Sequence, residues 1–536
     1  MNKITNCWQV LLLQYFKRDW KKIIVWVAAL TLLCAYIPAI QGVAAGQGAA
    51  GLFETLKNPA MISIVGPTPV TNVTDYTLGA MYSHMMLLFT GLIAMIVAAL
   101  HVINHTRKEE ELGLSEMIRS FKVGRQANSI AVIIETLIIN IILASITIII
   151  MLSFNIPSMS FNGALLYGVS IASAGFIGAM IALLFSQIMP TSAGAIGTSI
   201  GLIGLLYILR GVTDITDYHL SMFNPLGWIY LTFPFTENNW LPIGYALIFG
   251  IILILISFKL ESSRDLKAGF IPEFEGREYA KKSLLSIRGL FLRRSKGTII
   301  AWLIVFVVLG ATYGSIYGNL QDFLNSNEMM KQMFLTAGVS IEGSFTATIT
   351  MVICGIAAIL PILIINKLFS EEARAYLSQI FSTKVSRTNL YFTTITIAII
   401  FGIIGIILSS VSLGVVALVA MQEASTLQLS DFILAGINFI PALLLFVGLA
   451  AFFLGIAPTI GKAVYIYLTY AFMISYFGKL MNLPELVIKT SIFEWIPKMP
   501  IESFNLVPFL GITIISIILI CFGYLGYKKR DFIENS

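Results

Sequence analysis

Charge is scarce in this sequence. Asp, Glu, Lys and Arg make up 12% of its 536 residues, against 57% hydrophobic ones. That is too little polar surface to cover a water-soluble body of this size, so a soluble globular protein is excluded. The mean hydropathy of +0.87 agrees. Cysteine is also scarce. Cys7, Cys34, Cys354 and Cys521 lie in or beside apolar segments with no pairing or metal-ligand spacing, and read as small buried hydrophobes. The four histidines (His84, His101, His105, His219) are scattered, and no His-Glu-x-x-His occurs. A phosphate-binding G-x-x-x-x-G-K-[ST] loop is missing too: the stretch Gly455 to Lys462 has one residue too many and runs into Ala463. Hydrolytic and redox chemistry therefore have no motif to rest on. No cleavable signal peptide is expected, because the first apolar run is long and no small-residue cleavage site follows it.

What is present is apolar helix. A membrane-crossing helix needs roughly 20 apolar residues. Such runs fall near 23–41, 82–104, 128–153, 164–188, 194–211 and 241–260, and again near 299–318, 346–366, 389–420, 432–456, 460–481 and 505–527. The expectation is an all-α polytopic membrane protein with about twelve spans. The division between 164–188 and 194–211 rests on Pro190 and the Thr-Ser-Ala-Gly after it. Basic residues set the orientation. With the N-terminus inside, cytosolic segments hold 28 of the 34 Lys and Arg, and the outer loops hold Lys57, Lys331, Lys479, Lys489 and Lys498. Both termini are expected in the cytosol. The positive balance follows topology and carries no nucleic-acid signal.

The chain is also duplicated. Lys17-Arg18 followed by Ile23-Ile24-Val25-Trp26 recurs as Arg293-Arg294 followed by Ile299-Ile300-Ala301-Trp302. Pro190-Thr191 recurs as Pro458-Thr459, Trp228 as Trp495 and Arg264-Asp265 as Arg530-Asp531. Residues 1–262 and 284–536 thus read as two six-span halves, joined by a polar linker at 263–283 that contains Gly269, Pro272 and Gly276. Six spans per half means parallel repeats, related by an axis along the membrane normal, with a cavity expected between them. Ahead of each half, Trp8 to Lys22 and Leu284 to Lys296 mix aromatic and leucine residues with Lys and Arg. Each suits a helix in the interface plane, or equally a charged flank of the next span.

Two cytosolic segments, each after the second span of its half, form matching knobs. Asn104 to Arg125 and Asn366 to Arg387 both open on glutamates, continue as a short helix and close on Lys-Val-x-Arg. In the first, Thr106 and Glu109 have the spacing of a capping box, and Glu109, Glu110 and Glu111 would sit at the positive end of the helix dipole. Leu114, Met117, Ile118 and Phe121 form one apolar stripe; in the second, Ser370 precedes Glu371 and Glu372, and Ala373, Leu377, Ile380 and Phe381 form it. The pattern predicts a stripe buried against the span ends and an acidic start offered to a partner. The plainer alternative is a surface helix that only turns the chain.

Other residues are weaker signals. Glu135 lies about two turns inside its span, where a carboxylate is a functional candidate. Its counterpart in the second half is Ile397, so an ion pair near the interface, with Arg125 for example, competes. Met85, Phe89, Met351, Tyr470 and Phe477 belong to methionine- and aromatic-bearing spans that could line a cavity for apolar ligands, or simply pack. The outer loop at 42–81 carries Asn58-Pro59-Ala60 and Gly66-Pro67, and its counterpart at 319–345 carries Asp322, Asn327 and Glu328; both should cap the outer mouth with short helices.

Along essentially its whole length the chain resembles the permease subunits of ABC-2-type ATP-binding-cassette exporters, and more narrowly their twelve-span branch of polyketide-antibiotic and drug exporters. Trp8 to Lys22 and Leu284 to Lys296 match that family's elbow helices. Glu109-Glu110-Glu111, Gly113 and Glu116 match the acidic coupling helix that docks into the ATPase, Lys122-Val123-Gly124-Arg125 its closing element, and Asn58-Pro59-Ala60 its outer-loop motif. The resemblance implies a cytoplasmic-membrane exporter of bacterial type that is not itself an enzyme. It would be served by two separate ATPase subunits that carry ATP and Mg, with no cofactor on this chain. Glu109, Glu110, Glu111, Gly113, Glu116, Arg119, Glu371, Glu372 and Arg374 are then the expected ATPase-coupling residues. The second knob departs from the pattern at Ala373 and lacks the glycine, and Leu114 stands where the family usually has arginine. A proton-coupled secondary transporter is the competing class, but it calls for a glycine-Asp-Arg loop where this chain has an acidic helix. A membrane sensor or scaffold is the third.

Overall fold

In a computed structural model, the chain is described over residues 5–37, 53, 56, 57, 59–272, 278–319, 340–421, 427–477 and 484–531. Among these residues the secondary structure is all helical. It separates into two compact units, 1–276 and 277–536. Among the described residues, ten helices are long and apolar enough to cross a membrane. The remaining two expected spans fall where the described residues stop. The run at 23–41 is the end of one helix plus a 3-10 turn at Leu32–Ala35, and the run at 460–481 is a helix of 15 residues, Ala463–Phe477.

Only the helices used below are labelled. The first unit has α1 (Trp8–Thr31), α2 (Leu78–His105), α3 (Arg107–Glu111), α4 (Leu114–Arg119), α5 (Ala127–Ser153), α6 (Phe161–Ile188), α7 (Ser192–Thr216) and α8 (Leu241–Ser263). The second has α9 (Ile287–Ser315), α10 (Ile341–Ala357), α11 (Ile359–Ala373), α12 (Tyr376–Phe381), α13 (Arg387–Ala420), α14 (Leu429–Asn438), α15 (Ile440–Ile456), α16 (Ala463–Phe477) and α17 (Leu506–Lys529).

Neither elbow is a helix of its own. Residues 8–22 continue without a break into the apolar end of α1, and 287–296 into α9. No proline interrupts either junction, and Gly297 has open space around it, so the i to i−4 ladder runs on.

The centre of the first unit is α6, which packs on α2, α5 and α8. Hydrophobicity cannot by itself join helices in lipid, so close approach of small residues does much of the work. Gly168 and Gly175 face Ala144, Ile148 and Asn140 of α5, and Gly178 faces the Met95 carbonyl of α2. A Cβ on Gly178 would collide with that backbone oxygen. Gly178→Ala should therefore cost about 1–3 kcal/mol, the usual toll of overpacking, read as a lower unfolding temperature in detergent. In the second unit α9 lies along α13 through Gly310 and Gly314, and α15 along α17 through Gly455 and Gly523. The outer helices α8 and α17 turn Leu247, Ile251, Leu255, Ile514, Ile518 and Phe522 away from their own unit's core, a surface suited to lipid.

Candidate functional site

The knobs are built by a break in the backbone. After α2 the chain leaves helical geometry at Thr106 (φ −113°, ψ −88°), makes α3, and turns at Gly113 with φ 78° before α4. The second knob makes the same turn at Ala375, φ 58°, which is the residue equivalent to Gly113. A left-handed alanine costs on the order of 1 kcal/mol, so the second knob keeps the shape without the glycine. Thr106 does not close a capping box. Its hydroxyl donates to the Val102 carbonyl at 2.7 Å and lies 3.0 Å from Ser186 Oγ, tying α2 to α6 instead.

Four of the six glutamates expected to face a partner are buried. Glu109 and Glu110 are 4% and 6% exposed, Glu371 and Glu372 5% and 2%. Glu109 Oε1 pairs with Arg18 of the elbow at 2.7 Å, and Glu109 Oε2 accepts from the Tyr15 hydroxyl at 3.1 Å. Glu110 receives both arms of Arg264, just past α8, at 2.8 and 2.9 Å. It also pairs with Arg107 at 2.9 Å and accepts the Lys267 backbone N–H at 3.2 Å. The second unit repeats the design. Glu371 pairs with Arg294 of its elbow at 3.2 Å, and Glu372 receives both arms of Arg530, just past α17, one of them at 2.7 Å. In each half, then, the first glutamate holds the elbow and the second holds the end of the sixth span. The arginine that closes Lys-Val-x-Arg completes the clamp. Arg125 donates to the Arg264 carbonyl, and Arg387 to the Arg530 carbonyl at 2.6 Å. Bidentate, charge-assisted pairs of this kind are the strong ones.

The apolar stripes behave differently in the two halves. In the first knob Leu114, Met117 and Phe121 are 38%, 61% and 70% exposed, and Leu112 is exposed beside them. Glu111 and Glu116 are exposed too, Glu111 accepting from Ser192 Oγ and Glu116 pairing with Lys267 at 2.9 Å. Arg119 is half-buried near Glu261. For most of the knob the expected order is inverted: arginines from the elbow and the sixth span draw Glu109 and Glu110 inward, and the stripe on α4 and the turn after it is left largely outside, with only Ile118 half-buried. In the second knob the expectation holds better, with Leu377 buried and Ala373, Ile380 and Phe381 half-buried; Arg374 is exposed.

The proposed cavity residues are placed individually. Met85 is half-buried against the first core and Phe89 is 39% exposed one turn on. Met351 is packed into the second core, while Tyr470 is exposed and bonded to Thr490 Oγ1 at 2.7 Å. The Phe477 side chain, Asn58, Asp322, Asn327 and Glu328 lie outside the described residues, as do the side chains of Pro59 and Ala60.

Sequence reasoning missed a second cluster. Glu135 does not reach Arg125; its Oε2 lies 3.1 Å from His101 Nε2. His105 sits one turn further along α2, its Nε2 3.3 Å from Asp19 Oδ2 and its Nδ1 3.4 Å from Glu109 Oε1. Burial pushes the Asp19 carboxyl up, but hydrogen bonds from Lys22 and Arg18, with His105 alongside, hold it below the ordinary carboxylate range. The sequence signal was the His-x-x-x-His spacing, one helical turn; nothing in it located the third member.

Fold and composition together define a multi-pass membrane protein. Over 527 residues, 97% of its own length and 94% of the relative's, the chain is 25% identical to the multidrug efflux system permease protein Rv1217c of Mycobacterium tuberculosis (strain ATCC 25618 / H37Rv). Residues 284–528 match the family described as multidrug efflux system permease Rv1217c, C-terminal domain, so the match begins at the second elbow. The chain is homologous to a multidrug efflux permease along almost its whole length.

Proposed function

We propose that the chain is the ABC-2-type permease subunit of an ATP-driven exporter that moves apolar or amphipathic, drug-like compounds across the cytoplasmic membrane. Two separate ATPase subunits would carry the ATP and Mg, and the knobs would face them from the cytosol. One observation carries this reading. A helical knob occurs twice, each time clamped by buried ion pairs to the elbow and the sixth span, so a push on the knob is delivered to the first and last helices of its half. A loose surface turn would need no such clamp. The first knob also exposes Leu112, Leu114, Met117 and Phe121, an apolar patch rimmed by Glu111 and Glu116, which suits contact with a protein. The buried glutamates couple by transmitting, and the patch by touching.

The test is co-expression with a candidate ATP-binding-cassette ATPase subunit. A stable complex is expected, with ATP-dependent transport into inverted vesicles that survives a protonophore. Met117→Asp with Phe121→Asp should lower co-purification at least tenfold, since full burial of one such side chain stabilises by about 1.5–3 kcal/mol. Co-purification that is absent, or unchanged by this pair, refutes the reading; transport abolished by the protonophore alone supports the secondary-transporter class.

A further inference from the structure

We propose that His101, His105 and Glu135 form a binding site for a divalent transition-metal ion of the zinc type, built into the first half only. The nitrogen and carboxylate atoms of these three residues all lie within 4.8 Å of one another, and all three side chains are buried. The donor set, two imidazoles and one carboxylate, is one that zinc-type ions favour. Two of the three come from one face of α2, four residues apart, which fixes their spacing by helix geometry. The third arrives from α5, one of the helices packed against α2.

The distances fit. Ligands bound at about 2.0–2.1 Å around a tetrahedral ion lie roughly 3.3 Å apart. His101 Nε2 and Glu135 Oε2 are 3.1 Å apart, so an ion can replace their hydrogen bond with little movement. Glu135 supplies a second, independent sign. The residue is wholly buried, and its other oxygen, Oε1, has no hydrogen-bond partner. A carboxylate in that position is costly unless a cation sits beside it. His105 already has the support that metal-bound histidines need, since one ring nitrogen can bind while the other is held by Asp19 or Glu109. The charges nearby also favour a cation. Glu135 belongs to the cluster and Asp19 and Glu109 border it, while Arg18 and Lys22, the bases paired with those two, are substantially exposed. Arg18 also reaches His105 Nδ1 and would have to keep to Glu109 and Asp19 when the ion is bound. The equivalent positions in the second half are Leu363, Lys367 and Ile397, which cannot chelate. A bound ion would therefore staple α2 to α5 beneath the first knob alone.

The test uses the tag-free full chain in detergent, stripped with a chelator and titrated with Zn²⁺ and Co²⁺. One ion per chain is expected, with Co²⁺ giving the intense visible bands of a four-coordinate nitrogen and oxygen site. Glu135→Gln, nearly isosteric, should weaken binding at least tenfold, and Asp19→Asn about tenfold as an outer-shell change. His219→Ala, at an exposed histidine outside the cluster, should leave binding unchanged. Absence of stoichiometric Zn²⁺ and Co²⁺ binding to the folded wild type overturns the proposal. So does binding that Glu135→Gln and His101→Ala leave intact.

Discussion

Replacing Arg264 with alanine is expected to destabilise the first unit by about 3 kcal/mol and to release the knob before the rest of the unit unfolds. Removing one partner from a buried ion pair typically costs about 3–5 kcal/mol, because the other charge stays buried. Glu110 would keep Arg107, which argues for the lower end. Arg264 also does more than neutralise. Its guanidinium binds both carboxylate oxygens, Gln187 Oε1 at 2.8 Å and the Ala268 carbonyl at 2.7 Å, so it joins the knob, the end of α6 and the chain beyond α8. Lysine can supply the charge but not the fork, so Arg264→Lys should lose roughly half as much. Hydrogen exchange across residues 105–125 is the direct measurement, with thermal unfolding beside it. Arg530→Ala should do the same to the second knob. If Arg264→Ala leaves exchange in 105–125 unchanged, the clamp does not hold the knob.

That clamp was written in the sequence, but in pieces. Lys17-Arg18 and Arg293-Arg294, the paired glutamates of the knobs, Arg264-Asp265 and Arg530-Asp531, and the two closing arginines were all recognisable as duplicated charges. Duplication shows that a residue is kept in both halves; it does not say which duplicated residue meets which. The pairs span 91 residues from Arg18 to Glu109 and 154 from Arg264 to Glu110, distances over which no local period carries information. The spans were easier, because a run of apolar residues is itself the cause of a membrane helix. The run near 241–260 became Leu241–Ser263, and the one near 505–527 became Leu506–Lys529. Where the reading failed, a tertiary partner decided. The stripe Leu114, Met117, Ile118, Phe121 has good helical spacing, but spacing only says that the residues share a face. It cannot say that Arg18 and Arg264 have already claimed the inside for Glu109 and Glu110. His101 and Glu135 failed for the same reason, since their meeting depends on how α5 packs on α2.

The largest contrast between the halves should appear when the same substitution is placed on each stripe. Leu377, on the buried side of α12, is 2% exposed and packed in the second core, so Leu377→Asp buries an unpaired carboxylate and leaves a gap. Deleting a buried leucine side chain alone costs about 2–5 kcal/mol, and the charge adds to that. Met117 is 61% exposed, and Met117→Asp gives up only a little apolar contact and places the charge in solvent. Expected stability changes are therefore several kcal/mol for Leu377→Asp and within about 0.5 kcal/mol for Met117→Asp, the usual range for a surface change. Binding should rank them the other way. If the exposed patch of the first knob is a contact surface, Met117→Asp weakens association with the ATPase while the permease stays folded. Leu377→Ala, milder than the aspartate, should lower the unfolding temperature without a matching loss of association per folded molecule. Equal effects of both substitutions on stability would mean that the stripes are equally buried. A loss of association confined to Leu377→Ala would move the contact surface to the second knob. The asymmetry has a simple origin: one copy of the duplicated knob turns its stripe into its own core, and the other leaves it outside.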